Sequence, residues 1–300
     1  MSQSIYFDNK ELFTGPKVNQ YGSHMLMTNV TKTKKSKYVN IDTKFRDEYN
    51  SNVTSDYNVT LPERITDVRS ISVTNVEIPI TFFNISENLG NNAIKVGSTV
   101  VVVPDGEYTA AALVAALEAR KTALSLAITF TTANNKITIT ANTGTFAIDF
   151  GVDSIGGFAK YNFKSRLGWL MGFRSQTYSI SSSGTTTMTS EFLVDLSGPR
   201  YLYLVIDEFT GNGNQKSFVS PLPSSVINKN ILARVPLNKQ TYPFMSVLPM
   251  SISTGLLTDV RSYTGKVDIQ KLNVQLVNEN GIAMNLNGAD FSFCLEIEHE

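Results

Sequence analysis

The chain has 300 residues, 42% of them hydrophobic and 17% charged, and its 26 basic and 26 acidic side chains cancel to zero net charge. That length and apolar content predict a folded body with a large core, as one big β domain or two smaller ones, and with the charges balanced nothing points to a dedicated nucleic-acid binder. The sole cysteine, Cys294, excludes an intrachain disulfide and any zinc site made from this chain's cysteines alone, and a reducing compartment suits it.

The opening MSQSIYFDNKELF lacks the apolar centre of a signal peptide. Nowhere do about 18 apolar residues run together, as a membrane-spanning helix requires. Residues 1–37 show no apolar period and hold Gly15-Pro16, Gly22 and a basic run through Lys32, Lys34, Lys35 and Lys37. They predict an extended N-terminal arm that orders on a partner, with a solvated tail as the alternative. The lysines are also able to touch any polyanion, without specificity. Asn-x-Ser/Thr matches begin at Asn29, Asn52, Asn58 and Asn84, and in a chain so rich in Asn and Thr chance accounts for them.

From Tyr38 the pattern is β. Tyr57-Asn-Val-Thr-Leu61 alternates with period two and is expected to stop at Pro62. In the stretch from Arg64 to Phe83, Ile71 and Val73 share one parity while Val76, Ile78 and Ile80 share the other. A parity change within one β run predicts a bulge or bend. Val267 and Ile269 against Leu272, Val274 and Leu276 repeat the change near the C-terminus. Two long face-switching strands suit the corners of a two-layer sandwich.

The middle differs. Pro104-Asp105-Gly106 is a turn, and Thr109 caps a helix to about Leu124 with Ala110, Leu113, Leu117 and Leu124 on one face. Ala127–Thr132 and Lys136–Thr140 form a hairpin around Asn134-Asn135, followed by Phe146, Ile148 and Phe150. This helix-plus-hairpin unit, 104–172, reads as an insertion in a body spanning 38–300. It closes at Leu167-Gly-Trp-Leu-Met-Gly-Phe173, where Trp169 is a core or interface anchor. Arg200–Ile206 is apolar or aromatic on both faces and so a central strand, and residues 211–225 form a long exposed loop. Asn230–Leu237 is a strand with Pro236 at its end. In the last strand Phe291, Phe293, Leu295 and Ile297 face in, while Ser292, Cys294, Glu296 and Glu298 face out.

Catalytic patterns are absent. The two histidines, His24 and His299, lie outside the predicted rigid elements, and no nucleophile elbow, His-Glu-x-x-His, Ca loop or phosphate-binding glycine loop occurs. No catalytic residue, cofactor or metal ligand is expected. Asp207, Glu208, Asp259 and Asp268 remain as carboxylates for a glycosidase-type pair. The alternative makes them turn acids or partners of Arg200, Arg261 and Lys271. Asp47-Glu48 reads as a surface charge cluster.

Several stretches, in order, resemble minor capsid proteins of large icosahedral nucleocytoplasmic DNA viruses of the kind that infect algae. They are Tyr38-Val-Asn-Ile-Asp-Thr-Lys-Phe-Arg-Asp47, Tyr57–Pro62, Val68-Arg-Ser-Ile-Ser-Val-Thr-Asn-Val-Glu-Ile-Pro79, Phe82–Ile85 with Asn91-Asn92, Pro104–Thr109, Leu167–Phe173, Arg261–Leu272 and Leu286–Phe293. The resemblance implies a mostly β protein, an antiparallel, jelly-roll-like β-sandwich, that cements the shell. Its expected partners are the major capsid protein, other minor capsid proteins and further copies of itself. It implies no specific nucleic acid, and a virion location after assembly in the host cytoplasm. Lys34, Lys35 and Lys37 of the arm and the loop residues Phe218, Tyr242, Phe244 and Met245 are the candidate contacts. Two other readings compete: a glycan-binding sandwich using Tyr201, Tyr203 or Tyr242, and a glycoside hydrolase using the acids above.

Overall fold

The computed structural model describes residues 17–18, 24–25, 34–47, 54–157, 163–209, 218 and 230–300. Within the arm, β1 (Lys17–Val18) pairs antiparallel with β2 (His24–Met25), and the other residues before Lys34 lie outside the described residues. Then come β3 (Lys35–Asp42), β4 (Asp56–Pro79), β5 (Ala93–Val96), β6 (Thr99–Val102) and α1 (Ala110–Ala123). Next are β7 (Ile128–Ala133), β8 (Lys136–Ala141), β9 (Thr145–Asp149), the one-turn α2 (Leu167–Leu170), β10 (Thr177–Ser181) and β11 (Thr187–Thr189). The chain ends with β12 (Tyr201–Asp207), β13 (Ile231–Pro236), β14 (Val247–Ser251), β15 (Leu257–Thr258), β16 (Arg261–Val277) and β17 (Ser292–His299).

The body is one eight-stranded antiparallel network in the order β15-β13-β12-β16-β4-β17-β3, with β14 added to the end of β4. It wraps a single core that includes Ile71, Val76, Leu204, Leu272, Phe293 and Leu295. The fold is mostly β, antiparallel and jelly-roll-like, with β4 and β16 as its two longest strands. Those strands hold their residues inward by breaking register. Against β17, Asn75 pairs with Cys294 and Val73 with Leu295, so Thr74 is one residue too many. The bulge resets the parity, and Ile71, Val73, Val76 and Ile78 are all buried. The Thr74 hydroxyl donates to the Cys294 carbonyl at 3.2 Å.

Pro62 does not end a strand, contrary to expectation: β4 continues through it to Pro79. The ladder to β16 passes from Thr60–Lys271 straight to Ile65–Ile269. Pro62 therefore sits where no ladder donor is needed. His299 also departs from expectation. It belongs to the rigid β17, opposite Lys35 and Val68, because that strand is held between β3 and β4 to its end.

The second unit has its own core, built from Ile85 to Met188 and so drawing on residues beyond 104–172 at both ends. Sheet β10-β9-β5-β6 and sheet β11-β8-β7 enclose it. The Thr109 hydroxyl accepts from the Ala112 N–H and starts α1, which buries Leu113 and Leu117. Leu124 is the helix C-cap instead of a face residue and is 42% exposed. Asn134 and Asn135 have φ of 53° and 56°, the two left-handed positions that a tight right-twisted hairpin turn demands. Asn84 clasps the neck of the unit: its amide donates to Tyr108 O (2.8 Å) and Leu196 O (2.9 Å) and accepts from Tyr108 N (2.9 Å).

Candidate interaction surfaces

The sequence-selected acids do not converge on a cleft. Arg261 donates to Glu208 at 2.8 Å in the buried interior, and the Tyr263 hydroxyl donates to the other Glu208 oxygen at 2.6 Å. Glu208 is thus a partner of Arg261, one of the two alternatives the sequence left open, and is not a solvated turn acid. Leu202, Leu204 and Ile206 face the main core, and Glu208 continues their parity, a signal for burial that the sequence carried. Burial, followed by the charge of Glu208, pushes the Tyr263 phenol well above its ordinary range. Asp207 accepts the Phe209 N–H at 2.9 Å in a local turn, Asp268 pairs with Arg64 at 2.6 Å, and Asp259 is exposed and accepts the Val260 N–H. Asp47 accepts from Thr60, and Glu48 lies outside the described residues. Among the described residues no three His, Cys, Asp or Glu side chains are placed to hold a metal ion.

The aromatic candidates for a sugar platform are mostly covered. Tyr203 is buried, and Tyr201 lies edge-on to it at 5.2 Å under the Arg234 guanidinium. Tyr242 packs against the main core. Of the sugar-acceptor matches, Asn84 is buried and engaged at the neck, Asn58 is exposed, and Asn29 and Asn52 lie outside the described residues.

The contact candidates fall in three separate places. Lys34 precedes β3 and Lys35 and Lys37 lie on it, and among the described residues β3 pairs with β17 alone. Lys34 pairs with Glu298 at 3.5 Å and Lys37 with Glu63, while Lys35 is exposed. On the same strand Tyr38 is 65% exposed, and the adjacent Glu296 carboxylate raises its phenol pKa. Phe218 is half-buried, its ring 6.3 Å from Tyr203, and the rest of the loop 211–225 lies outside the described residues. Phe244 stacks on Phe83 at 5.8 Å, which turns Met245 outward at φ 70° and 74% exposure.

Sequence reasoning missed the stretch that follows Met245. Val247, Ile252, Leu257 and Val260 are each more than half exposed. Strand β14 pairs with β4, and β15 with β13 at the end of the sheet order. Along β14 the exposed Val247 and Pro249 alternate with the buried Leu248 and Met250. In the second unit, Trp169 is half-buried against Phe163 and stacks with the Arg174 guanidinium at 4.0 Å, and the same guanidinium lies 4.5 Å from the Phe192 ring.

No protein-family model and no curated protein matches the chain. Among solved structures it is similar to the mavirus penton protein, at 8% identity and a TM-score of 0.44, over 89% of this chain and 100% of that one. It is also similar to a chain of the Sputnik virophage solved by cryo-EM, at 16% identity and a TM-score of 0.39, over 88% of this chain and 98% of that one.

Proposed function

We propose that the chain is a structural subunit of a virus shell, a minor capsid protein that cements major capsid units by protein–protein contact and performs no chemistry of its own. The observation that carries the reading is the exposure of five apolar side chains, Met245, Val247, Ile252, Leu257 and Val260, two of which, Val247 and Leu257, lie on the short strands β14 and β15. Exposed apolar side chains and sheet edges are what a partner covers. The ordered capsid-like stretches in the sequence support the same reading. So does the engagement of Glu208 and Asp268, two of the four candidate acids, in ion pairs with Arg261 and Arg64. Lys35, Phe218, Phe244 and Met245 are the further contacts to test, with the major capsid protein and other minor capsid proteins as partners.

The test is co-assembly with the major capsid protein encoded in the same genome, read by sedimentation of particles. Val247→Asp with Leu257→Asp is expected to keep the fold and lower incorporation at least tenfold. Undiminished incorporation of that variant, or turnover of a glycan by the pure chain, refutes the reading.

A further inference from the structure

The outer face of sheet β11-β8-β7 carries an ordered grid of threonines. Thr187 lies opposite Thr140, which lies opposite Thr129; in the next row Thr189 lies opposite Thr138, which lies opposite Thr131. Alternate residues on the same strands, Phe130, Ile137, Ile139 and Met188, are buried in the second core, so the threonines take the opposite, outward face. Thr131, Thr187 and Thr189 are exposed and the other three half-exposed. No charged side chain occupies either row. Lys136, the nearest lysine along β8, turns its ammonium to the Glu191 carbonyl at 2.9 Å.

We infer that this face is a self-association surface, and that its occupant is the same face of a second copy of the chain. The argument is one of complementarity. When a surface meets its own copy about a two-fold axis, each group faces its own kind or a neighbour from the same patch. Charged side chains then meet like charges and repel, which is how exposed sheets stay apart. A hydroxyl is both donor and acceptor, so a hydroxyl face complements itself in hydrogen bonding as well as in charge. Only part of that capacity is used within the chain. Thr138 and Thr189 bond to each other at 2.8 Å and Thr129 bonds to Asn142 at 2.9 Å. Thr131, Thr140 and Thr187 have no side-chain hydrogen bond among the described residues, and the threonine methyls add apolar area. The zero net charge of the chain adds no long-range repulsion between copies. The inference stands on this face alone and does not depend on the capsid reading.

The experiment is light scattering of the full chain across a concentration series, with amide hydrogen exchange at the two extremes. The wild type is expected to gain mass with concentration and to gain protection in 129–140 and 187–189. Thr138→Glu with Thr189→Glu is expected to hold the mass at one chain, while Thr138→Ser with Thr189→Ser keeps the association. Thr131→Glu with Thr187→Glu, at exposed positions, serves if the first pair does not fold. A wild type that stays monomeric overturns the inference, as does association that survives a folded glutamate pair or protects another face. Loss of capsid incorporation with self-association intact separates this surface from the Met245–Val260 band.

Discussion

Arg261 holds both ends of the connection between β12 and β13 through its contact with Glu208. One guanidinium nitrogen donates to the Glu208 carboxylate at 2.8 Å and to the Ile206 carbonyl at 2.9 Å, on the outgoing side. The other donates to the Asn230 carbonyl at 2.9 Å, on the returning side. A buried arginine that ties two strand ends fixes where the intervening chain leaves and rejoins the sheet. Removing one partner of a buried pair leaves an uncompensated charge, which costs about 3–5 kcal/mol. Arg261→Met is therefore expected to lower the unfolding free energy by that amount, and Arg261→Met with Glu208→Leu to recover much of the loss. Additive losses in the double variant, measured by urea unfolding, would show that the two groups do not act as a pair.

The tyrosines give the alkaline side of the stability profile a definite sign. Burial, then the Glu208 charge, raises the folded pKa of Tyr263 above its ordinary 10.0. Burial, with Asp42 next, does the same to Tyr57. Above pH ~10 the unfolded chain loses these protons while the folded chain keeps them, so stability is full below that pH and falls as pH rises past it. Tyr57→Phe is expected to flatten the decline at little cost at neutral pH, because its hydroxyl has no hydrogen-bond partner. Tyr263→Phe is expected to flatten it too but to cost about 1.5–3 kcal/mol at neutral pH, the worth of a hydrogen bond to a charged group. Urea midpoints from pH 7 to 11 in both variants check this, and unchanged slopes refute it.

The Thr74 bulge is legible in the residue pattern itself, because a sandwich strand cannot bury Val73 and Val76 on one side without an extra residue between them. Deleting Thr74 is expected to turn Val76, Ile78 and Ile80 outward and leave the chain insoluble, whereas Thr74→Ala loses one hydrogen bond worth about 1 kcal/mol and keeps the fold. A soluble, cooperatively melting deletion variant counts against this account of the bend.

Other features are legible in proportion to how local their causes are. The Thr109 cap and the Asn134-Asn135 turn depend on adjacent residues, and both read directly from the sequence. Pro62 misleads because a proline forbids a ladder donor, not a strand, and the gap in the ladder from Thr60 to Ile65 is set by β16, some 200 residues away. Glu208 is only half legible: its parity with Leu202, Leu204 and Ile206 signals burial, but which of the alternatives it takes is set by Arg261, distant in the chain. The exposure of Val247, Ile252, Leu257 and Val260 depends on how distant described segments pack, which no periodicity encodes. The threonine grid lies in plain view as Thr-x-Thr repeats at 129, 138 and 187, but only the strand register aligns them into rows.

Gly168 offers a test of whether the two cores melt as one. It lies in α2 against the Phe150 ring, and a Cβ built there overlaps that ring. Phe150 stacks on Phe173 at 4.6 Å, and both are fully buried in the second core. Gly168→Ala must therefore push Phe150 away from its stacking partner, an overpacking that costs about 1–3 kcal/mol. The main core, with Leu204, Leu272 and Phe293, shares none of these residues. Hydrogen exchange is expected to show lost protection in β9 and β10, next to the displaced ring, with protection in β4, β16 and β17 retained. Equal loss in all of these strands would mean that the two cores unfold as a single cooperative unit.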